Sequence, residues 1–287
     1  MLNILVTGSS GQLGSEFKNI SARLNFQFIF TDREDFNITE KININDFLEG
    51  KSIDVILNCA AYTAVDKAED EEEKAYLINH IGVKNLVEVC EKKNIKLIHF
   101  STDYVFDGLN HKPYHENDRV SPKSVYGCSK LAGEQEIMRS EISALIIRTS
   151  WLYSRFGHNF VKSMLALGQS RTHLNIVYDQ IGTPTNARDL AEATLSCLHN
   201  LDQWENKRTV YHFSNEGVAS WYDFTKEIFD LFEINCNLQP ILSKDYPTKA
   251  IRPHYSVFDK TKFKIDFNFA IKHWKDSIKD LKMNIIV

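Results

Sequence analysis

Five short apolar runs in the first half of this 287-residue chain constrain its fold more than any other feature. They read NILVTG, FQFIFTD, IDVILNCA, IKLIHFST and ALIIRTS, and polar or glycine residues bound each of them. Stretches with helical periodicity lie between them, among them SEFKNISARL and EKAYLINHIGVKNLVEVCEKKN. Strands that alternate with helices and are apolar nearly throughout are typical of a parallel sheet covered on both faces. We therefore predict an α/β fold with a doubly wound parallel sheet of the Rossmann type.

The alternation loosens after residue 150. HNFVKSMLALGQS and NARDLAEATLSCLHNL have helical periodicity, LNIVYDQ is strand-like, and the last part of the chain carries aromatic residues and a closing helix, AIKHWKDSIKDL. We expect a dinucleotide-binding domain at 1–150, with further elements added to it by 171–215. Residues 151–287 are expected to form a smaller substrate-binding lobe.

Composition excludes several classes of protein. Hydrophobic residues make up 43% of the chain, the net charge is −4, and the 34 basic residues are dispersed, which argues against a nucleic-acid or anionic-membrane surface. The first residues have neither a basic lead nor a long apolar run, so we expect no signal peptide and no membrane span. The five cysteines are far apart, which favours free thiols in the cytoplasm over disulfides or zinc.

A glycine-rich turn, GSSGQLG, follows the first predicted strand and precedes a helix. Such a turn lets the backbone approach a pyrophosphate, and the helix N-terminus presents free N–H groups to it. The second predicted strand ends at Asp32, at roughly the spacing expected for an acid that binds a ribose. The pattern favours a dinucleotide site, and the alternative is an ordinary tight turn.

Asp32 and Arg33 point to different cofactors. A carboxylate at this place accepts a hydrogen bond from the ribose 2′-hydroxyl, whereas a guanidinium suits a 2′-phosphate. The sequence therefore leaves NADH and NADPH open, and Arg33 has the further alternative of being a solvated loop charge.

Tyr126 and Lys130 are four residues apart in a predicted helix, so they lie on one face of it. A free tyrosine has a pKa of about 10, and a neighbouring cation lowers that pKa, which would make the pair a tuned acid. The alternative is an exposed ring beside a solvated lysine. STDYVFDG sits where the fourth strand ends, and carboxyl ends of parallel strands are where such folds build their sites. This places Ser101, Thr102 and Tyr104 near a substrate.

Seven segments in this order resemble one known family: TGSSGQLG, NCAAYTAVDKAE, STDYVFDG, YGCSKLAGE, RTSWLY, DQIGTPT and RPHYS. They are similar to the extended short-chain dehydrogenase/reductases, and within these most closely to the dTDP-4-dehydrorhamnose reductases. The similarity runs from residue 1 to about residue 258. It implies reduction of the 4-keto group of dTDP-4-dehydro-L-rhamnose to dTDP-L-rhamnose, with NADPH or NADH as hydride donor.

The resemblance also implies roles for individual residues. Tyr126 would protonate the C4 oxygen, Lys130 would hold the ribose and lower the tyrosine pKa, and Thr102 would bond the same oxygen. The other implied contacts are the phosphate loop Gly8, Gly11, Gln12 and Leu13, the cofactor contacts Ala60, Ala61 and Tyr62, the sugar surround Thr63, Tyr104 and Trp151, and Arg252 at the substrate diphosphate. Trp151 could instead pack between the two lobes, and Arg252 could instead be a surface residue.

Two positions depart from the family or stay unmatched. Asn37 stands where the family usually carries an acid near the adenine, which bears on cofactor preference. Some members bind magnesium at a dimer contact through glutamates, and Glu16 falls at a matching place, but the other ligands have no clear counterpart. We predict no metal site. His99 alternates into an apolar strand and is expected to be a satisfied core residue.

Three other functions remain open at this point. The first is a nucleotide-sugar epimerase of the same superfamily, and the second is a reductase for another keto sugar, such as one that forms the 6-deoxytalose epimer. The third is a non-catalytic regulatory subunit, because the beta subunit of methionine adenosyltransferase also resembles this family. A cytoplasmic homodimer is the default expectation for an enzyme of this size.

Overall fold

The computed structural model describes residues 1–285. Its strands are β1 (Asn3–Thr7), β2 (Gln27–Phe30), β3 (Val55–Asn58), β4 (Lys96–Thr102), β5 (Ala144–Thr149), β6 (Leu152–Tyr153), β7 (His173–Val177), β8 (Ile181–Gly182), β9 (Thr185–Asn186), β10 (Arg208–His212), β11 (Ala219–Ser220) and β12 (Asn237–Ile241). Its α-helices are α1 (Gln12–Ser21), α2 (Lys41–Phe47), α3 (Val65–Ala68), α4 (Glu72–Tyr76), α5 (Gly82–Lys93), α6 (Val125–Arg139), α7 (Phe160–Ser170), α8 (Ala187–Leu198), α9 (Trp221–Phe232), α10 (Thr261–Phe267) and α11 (Trp274–Ile285). A π-helical segment, Leu77–Ile81, joins α4 to α5.

Six strands form one parallel sheet in the order β10-β5-β4-β3-β1-β2. The five apolar runs predicted as strands supply five of them, and β10 adds an edge beside β5. Side chains of successive strand residues point to opposite faces, so Leu5 packs in a different core from Ile4 and Val6. The prediction of a doubly wound parallel sheet is confirmed.

Helices cover both faces of this sheet. Phe17 of α1, Leu190 of α8 and Phe263 of α10 pack on one face. Ile44 of α2 and Leu86 of α5 pack on the other, together with the end of α6. Burying each side chain of this size contributes roughly 1.5–3 kcal/mol to the free energy of folding relative to leaving it exposed. The two apolar layers therefore stabilise the packing of the helices on the sheet.

A third apolar cluster lies outside the sheet. It is built by α7, α9 and α11 with the parallel pair β7 and β12. The chain enters this region after β5 and returns to the sheet with α8 and β10. It then contributes α9, β12 and α11 to this region. The division into 1–150 and 151–287 stays a prediction. Among residues 1–285, no helix is long and apolar enough to cross a membrane.

The strand order reverses direction between β1 and β3. The connection after β1 leads outward to β2, and the connection after β3 leads to β4 on the other side. At such a switch point the two connections diverge and leave a crevice outside the carboxyl ends of the strands, where ligands bind in open α/β sheets.

Candidate active site

Two joined clefts occupy this crevice. The outer cleft, with a volume of about 720 Å³, lies beside the turn after β1 and the end of β2. The inner cleft, of about 570 Å³, lies beside the end of β4 and the start of α6. Gly11, Cys59 and Ala61 line both, so the two form one continuous groove. Its size suits an elongated ligand such as a dinucleotide followed by a second molecule.

The glycine turn is held by close backbone contacts. Gly8 has a φ of +62°, and a Cβ there would lie 2.8 Å from the Ala60 backbone. A Cβ on Gly14 would lie 2.4 Å from the Gly8 carbonyl oxygen. Helix α1 begins after Gly11 with no side-chain cap, so its first N–H groups remain available to an anion. Only glycine allows this turn to pass so near the next strand, and this leaves the backbone itself to face a pyrophosphate.

Asp32 is bonded to the glycine turn. Its two carboxylate oxygens accept hydrogen bonds from the Ser10 N–H at 2.8 Å and the Ser9 hydroxyl at 3.1 Å. Partial burial favours the protonated form, but these bonds outweigh it and lower the pKa of Asp32. Arg33 is exposed, and both residues line the outer cleft, as does Asn37.

The loop after β3 is fixed by a side chain from the π-helical segment. Asn79 is 1% exposed. Its amide oxygen accepts from the Tyr62 N–H at 2.9 Å, and its amide nitrogen donates to the Tyr62 carbonyl and to the Ser129 hydroxyl, each at 3.0 Å. This one residue therefore ties the loop Ala60–Tyr62 to α6. Thr63, the next residue, lies exposed at the inner cleft.

Contacts fix helix α6 at its first turn and again about two turns later, at Glu134. The Ser124 hydroxyl caps it by accepting from the Gly127 N–H at 3.1 Å. A Cβ on Gly127 would lie 2.3 Å from the Tyr104 carbonyl oxygen, so glycine is needed for the close approach. Further along, Arg148 of β5 donates to both oxygens of Glu134, at 3.0 Å and 2.7 Å. The helix thus has little freedom to move relative to β4 and β5.

Tyr126 and Thr102 come together at the floor of the inner cleft. Both residues line this cleft, and the Tyr126 ring meets the Tyr104 ring edge-on, with the ring centroids 5.4 Å apart. Burial raises the pKa of Tyr126 above its ordinary value. The Thr102 hydroxyl also donates to Asp103 at 2.9 Å, and burial raises the pKa of Asp103 to about 6. Tyr126 therefore holds its proton at neutral pH and presents it to the cleft.

Lys130 lies one turn deeper and is 2% exposed. Its ammonium donates to the Phe100 carbonyl at 2.7 Å and lies 3.3 Å from Nε2 of His99. Burial lowers the pKa of Lys130 to about 8, although the Glu134 charge opposes this. In this arrangement burial outweighs any effect of the lysine on the pKa of Tyr126, and the lowering by Lys130 that was expected from their spacing stays a prediction.

Trp151 lines the inner cleft, and Arg252 bonds a residue that lines it. Trp151 has a φ of +49° and stacks on Trp221, with ring centroids 3.6 Å apart, and it also lines the cleft. Both roles weighed for it are thus compatible with its position. Arg252 donates to Asp66 at 2.5 Å and to the Tyr104 hydroxyl at 3.3 Å.

Sequence reasoning passed over several residues that shape this site. Asn58 ends β3 as the one polar residue of VILN, and Glu134 follows Lys130 by one helical turn, so both left a local signal. Asn79 left none, because its role depends on a π-helical segment.

Glu16 is buried and accepts from the Ser154 hydroxyl at 2.6 Å. Among residues 1–285, no group of three or more potential ligands is arranged to hold a metal ion.

A parallel sheet with a glycine turn at its switch point, and a crevice outside the carboxyl ends of its strands, define a Rossmann-type α/β fold. More narrowly, the chain belongs to the family described as RmlD substrate binding domain, which matches residues 2–285. The resemblance predicted from the sequence is confirmed.

Named relatives agree with this assignment. The chain is 36% identical over 286 residues to a dTDP-4-dehydrorhamnose reductase of Sinorhizobium fredii, covering 98% of this chain and 96% of that one. A crystal structure of a dTDP-4-dehydrorhamnose reductase from Clostridium acetobutylicum is 38% identical, with a TM-score of 0.95 and full coverage of both chains. Another from Bacillus anthracis, in complex with NADP, is 34% identical, with a TM-score of 0.92 and coverage of 99% and 100%.

Proposed function

We propose that the protein catalyses the NAD(P)H-dependent reduction of the 4-keto group of dTDP-4-dehydro-L-rhamnose, which gives dTDP-L-rhamnose. The observation that carries this proposal is that Thr102 and Tyr126, each with a hydroxyl group, line the same inner cleft. Two hydroxyls in one cleft suit a carbonyl oxygen that gains negative charge during reduction. The relatives named as dTDP-4-dehydrorhamnose reductases support the choice of substrate.

The residues of the groove fit a nicotinamide dinucleotide. The side-chain oxygens of Gln12, Ser101 and Thr149 are buried at the inner cleft without a hydrogen-bond partner among the described residues, as expected where a polar ligand belongs. The residues proposed to hold the cofactor are Gly8, Gly11, Gln12, Leu13, Asp32, Arg33, Ala60, Ala61, Tyr62, Tyr126 and Lys130. When bound, NAD(P)H supplies the hydride that reduces the sugar.

Tyr126 is proposed as the acid. Because burial raises its pKa, it stays protonated at neutral pH until a stronger base appears beside it. The C4 oxygen becomes that base as it acquires charge, so the phenol proton moves to it in the direction of reduction. Thr102 holds the same oxygen by a hydrogen bond, and the Lys130 ammonium stabilises the phenolate that remains.

The substrate is proposed to enter between α3 and the segment that carries Arg252. The Arg252 guanidinium has the planar fork that suits a diphosphate. Its bond to Tyr104, which lines the inner cleft and whose ring meets that of Tyr126, supports this role. Thr63, Tyr104 and Trp151 would then surround the sugar.

Both nicotinamide cofactors are compatible with the outer cleft. Asp32 suits the ribose hydroxyl of NADH, and Arg33 lies on the same wall for the 2′-phosphate of NADPH. The relative from Bacillus anthracis was solved in complex with NADP, which supports NADPH as a cofactor of this protein. The ratio of the rates with the two cofactors decides the preference.

The test is a coupled assay with dTDP-4-dehydro-L-rhamnose generated in place, in which loss of NADPH or NADH absorbance is followed and the sugar product is identified by NMR. Cofactor oxidation with dTDP-L-rhamnose as product is the expected result. Formation of the 6-deoxytalose epimer would mean that the pocket presents the other face of the ring. Folded protein that binds nucleotide but oxidises neither cofactor would overturn the proposal, and NAD retained through purification would point to an epimerase.

The proposal extends to assembly and location. We infer a cytoplasmic homodimer, because isologous dimers are the commonest state of soluble enzymes of this size. We also keep the division into a dinucleotide-binding domain at 1–150 and a substrate-binding lobe at 151–287. Light scattering coupled to size-exclusion chromatography tests the dimer. A measured mass equal to that of one subunit throughout the micromolar range would contradict it.

A further inference from the structure

A row of buried polar side chains runs across the sheet and ends at Lys130. Thr7 of β1, Asn58 of β3 and His99 of β4 are direct neighbours in the strand register. Their exposed fractions are 1%, 1% and 0%, and that of Lys130 is 2%. Fully buried strand residues are normally apolar, so three polar ones side by side, two of them ending their strands, and a buried lysine next to them require a reason.

The row is continuous in hydrogen bonds. The Thr7 hydroxyl lies 2.8 Å from the Asn58 amide oxygen, the Asn58 amide nitrogen lies 3.0 Å from Nδ1 of His99, and Nε2 of His99 lies 3.3 Å from Nζ of Lys130. The Ala60 N–H donates to the Thr7 hydroxyl at 3.2 Å. The far end of the row is therefore anchored in the loop that lines both clefts.

His99 serves this row as a neutral ring. Burial and the neighbouring Lys130 charge both hold the pKa of His99 well below its ordinary value, since a second cation 3.3 Å from the ammonium would be strongly unfavourable. A neutral imidazole has one donor and one acceptor nitrogen. Beside a charged Lys130, Nε2 must be the acceptor, and the hydrogen must sit on Nδ1.

Asn58 can match either tautomer. Its amide carries an oxygen and an NH2 group of nearly the same shape, so a half-turn of the amide exchanges acceptor for donor opposite Nδ1 of His99. With the oxygen toward His99, the ring accepts from a charged Lys130. With the NH2 toward His99, Nε2–H donates to a neutral Lys130. The structure has the NH2 group toward Nδ1, so a charged Lys130 requires the half-turn of the Asn58 amide.

We propose that His99 is a positioning residue for Lys130: its Nε2, with the Phe100 carbonyl, holds the lysine ammonium beneath the site, and the Asn58 amide sets which ring nitrogen accepts. This rests on the proposed function, because it assigns Lys130 a working role there. The other groups around the ammonium leave this task to His99. The Cys59 thiol is neutral because burial raises its pKa, the Tyr126 phenol is also neutral, and the Glu134 carboxylate is engaged by Arg148.

The test compares His99→Phe, which keeps a ring but no acceptor, with His99→Gln, which keeps an acceptor oxygen. Without an acceptor the buried ammonium is less stable, so the pKa of Lys130 falls further and activity is lost at lower pH. The alkaline limb of the kcat profile should shift down by about one to two pH units in His99→Phe and by less than half of that in His99→Gln. The KM for the nucleotide sugar should stay the same, because His99 does not line the clefts.

His212→Phe is the matched control. His212 is also 0% exposed, but it lies on β10 and its Nδ1 faces the Tyr114 carbonyl at 3.0 Å. It should leave the alkaline limb in place, even if stability falls. A wild-type limb in His99→Phe, a drop in kcat that is equal at all pH values, or the same shift in His212→Phe would overturn the proposal.

A second measurement needs neither turnover nor a folded His99→Phe variant. 15N NMR of the histidine rings in the wild-type protein, assigned by comparison with His99→Gln, should find Nδ1 protonated and Nε2 unprotonated below the pKa of Lys130. A hydrogen on Nε2 at that pH would overturn the proposal. Wild-type protein with the expected tautomer but without reductase activity would refute the proposed function and leave the positioning role standing.

Discussion

Glu134 and Arg148 form a buried ion pair one helical turn beyond Lys130, and Glu134→Gln tests how strongly it holds α6. The two side chains are 3% and 5% exposed, and two N–H groups of the guanidinium bond the carboxylate at 2.7 Å and 3.0 Å. Removing the carboxylate charge leaves a guanidinium buried without a counter-charge. Such a loss costs about 3–5 kcal/mol of the free energy of unfolding, whereas an exposed pair contributes about 1 kcal/mol or less.

The assay is urea denaturation followed by tryptophan fluorescence, on Glu134→Gln, Arg148→Met and the double variant. Each single variant leaves one buried charge without its partner, but the double variant leaves none, so its destabilisation should be smaller than the sum of the two by about 2 kcal/mol or more. Asp230→Asn is the control, because Lys226 and Asp230 form an ion pair with side chains 55% and 61% exposed. Additive effects, or a Glu134→Gln cost no larger than the control, would refute the reasoning.

Three further predictions concern single residues of the site. Tyr126→Phe should lower kcat by about 100- to 10,000-fold with an unchanged melting temperature, and full activity would exclude this residue as the acid. Gly8→Ala should abolish NADPH binding in calorimetry, because its Cβ would lie 2.8 Å from the Ala60 backbone at a φ of +62°, and wild-type affinity would contradict that contact. Asp103 has its pKa raised by burial from 3.8 to about 6, so folding favours its protonated form, and the stability of the wild type should fall as the pH rises from about 4 through about 6. Asp103→Asn should remove this fall, worth about 3 kcal/mol, in melting temperatures measured at both ends of that range, and an equal fall in the variant would show that another group causes it.

The sequence was sufficient where the structure depends on neighbours along the chain. The first five strands of the sheet were predictable because each is an apolar run bounded by polar or glycine residues. The glycine turn and the placement of Tyr126 and Lys130 on one helix beside the inner cleft were predictable because spacing alone fixes a turn or a helix face. The floor of the inner cleft followed from the position of STDYVFDG at the end of a strand.

The remaining features depend on contacts between distant parts of the chain. Strand β10 completes the sheet beside β5, but its residues RTVYH carry no signal that names this partner. Arg252 bonds Asp66, which lies 186 positions earlier in the chain. The row from Thr7 to Lys130 exists only because three strands align in one register, and sequence reasoning identified His99 only as a core residue.

The π-helical segment Leu77–Ile81 also sets a phase between two helices. A π turn holds one residue more than an α turn, so α4 and α5 are offset by about 100° relative to one uninterrupted helix. Deleting one residue here would restore regular α-helix and rotate Asn79 away from Tyr62 and Ser129. The extra residue therefore determines how α5 is rotated about its axis relative to α6. Variants that add or remove one residue here should change the shape of the groove without replacing any residue that lines it.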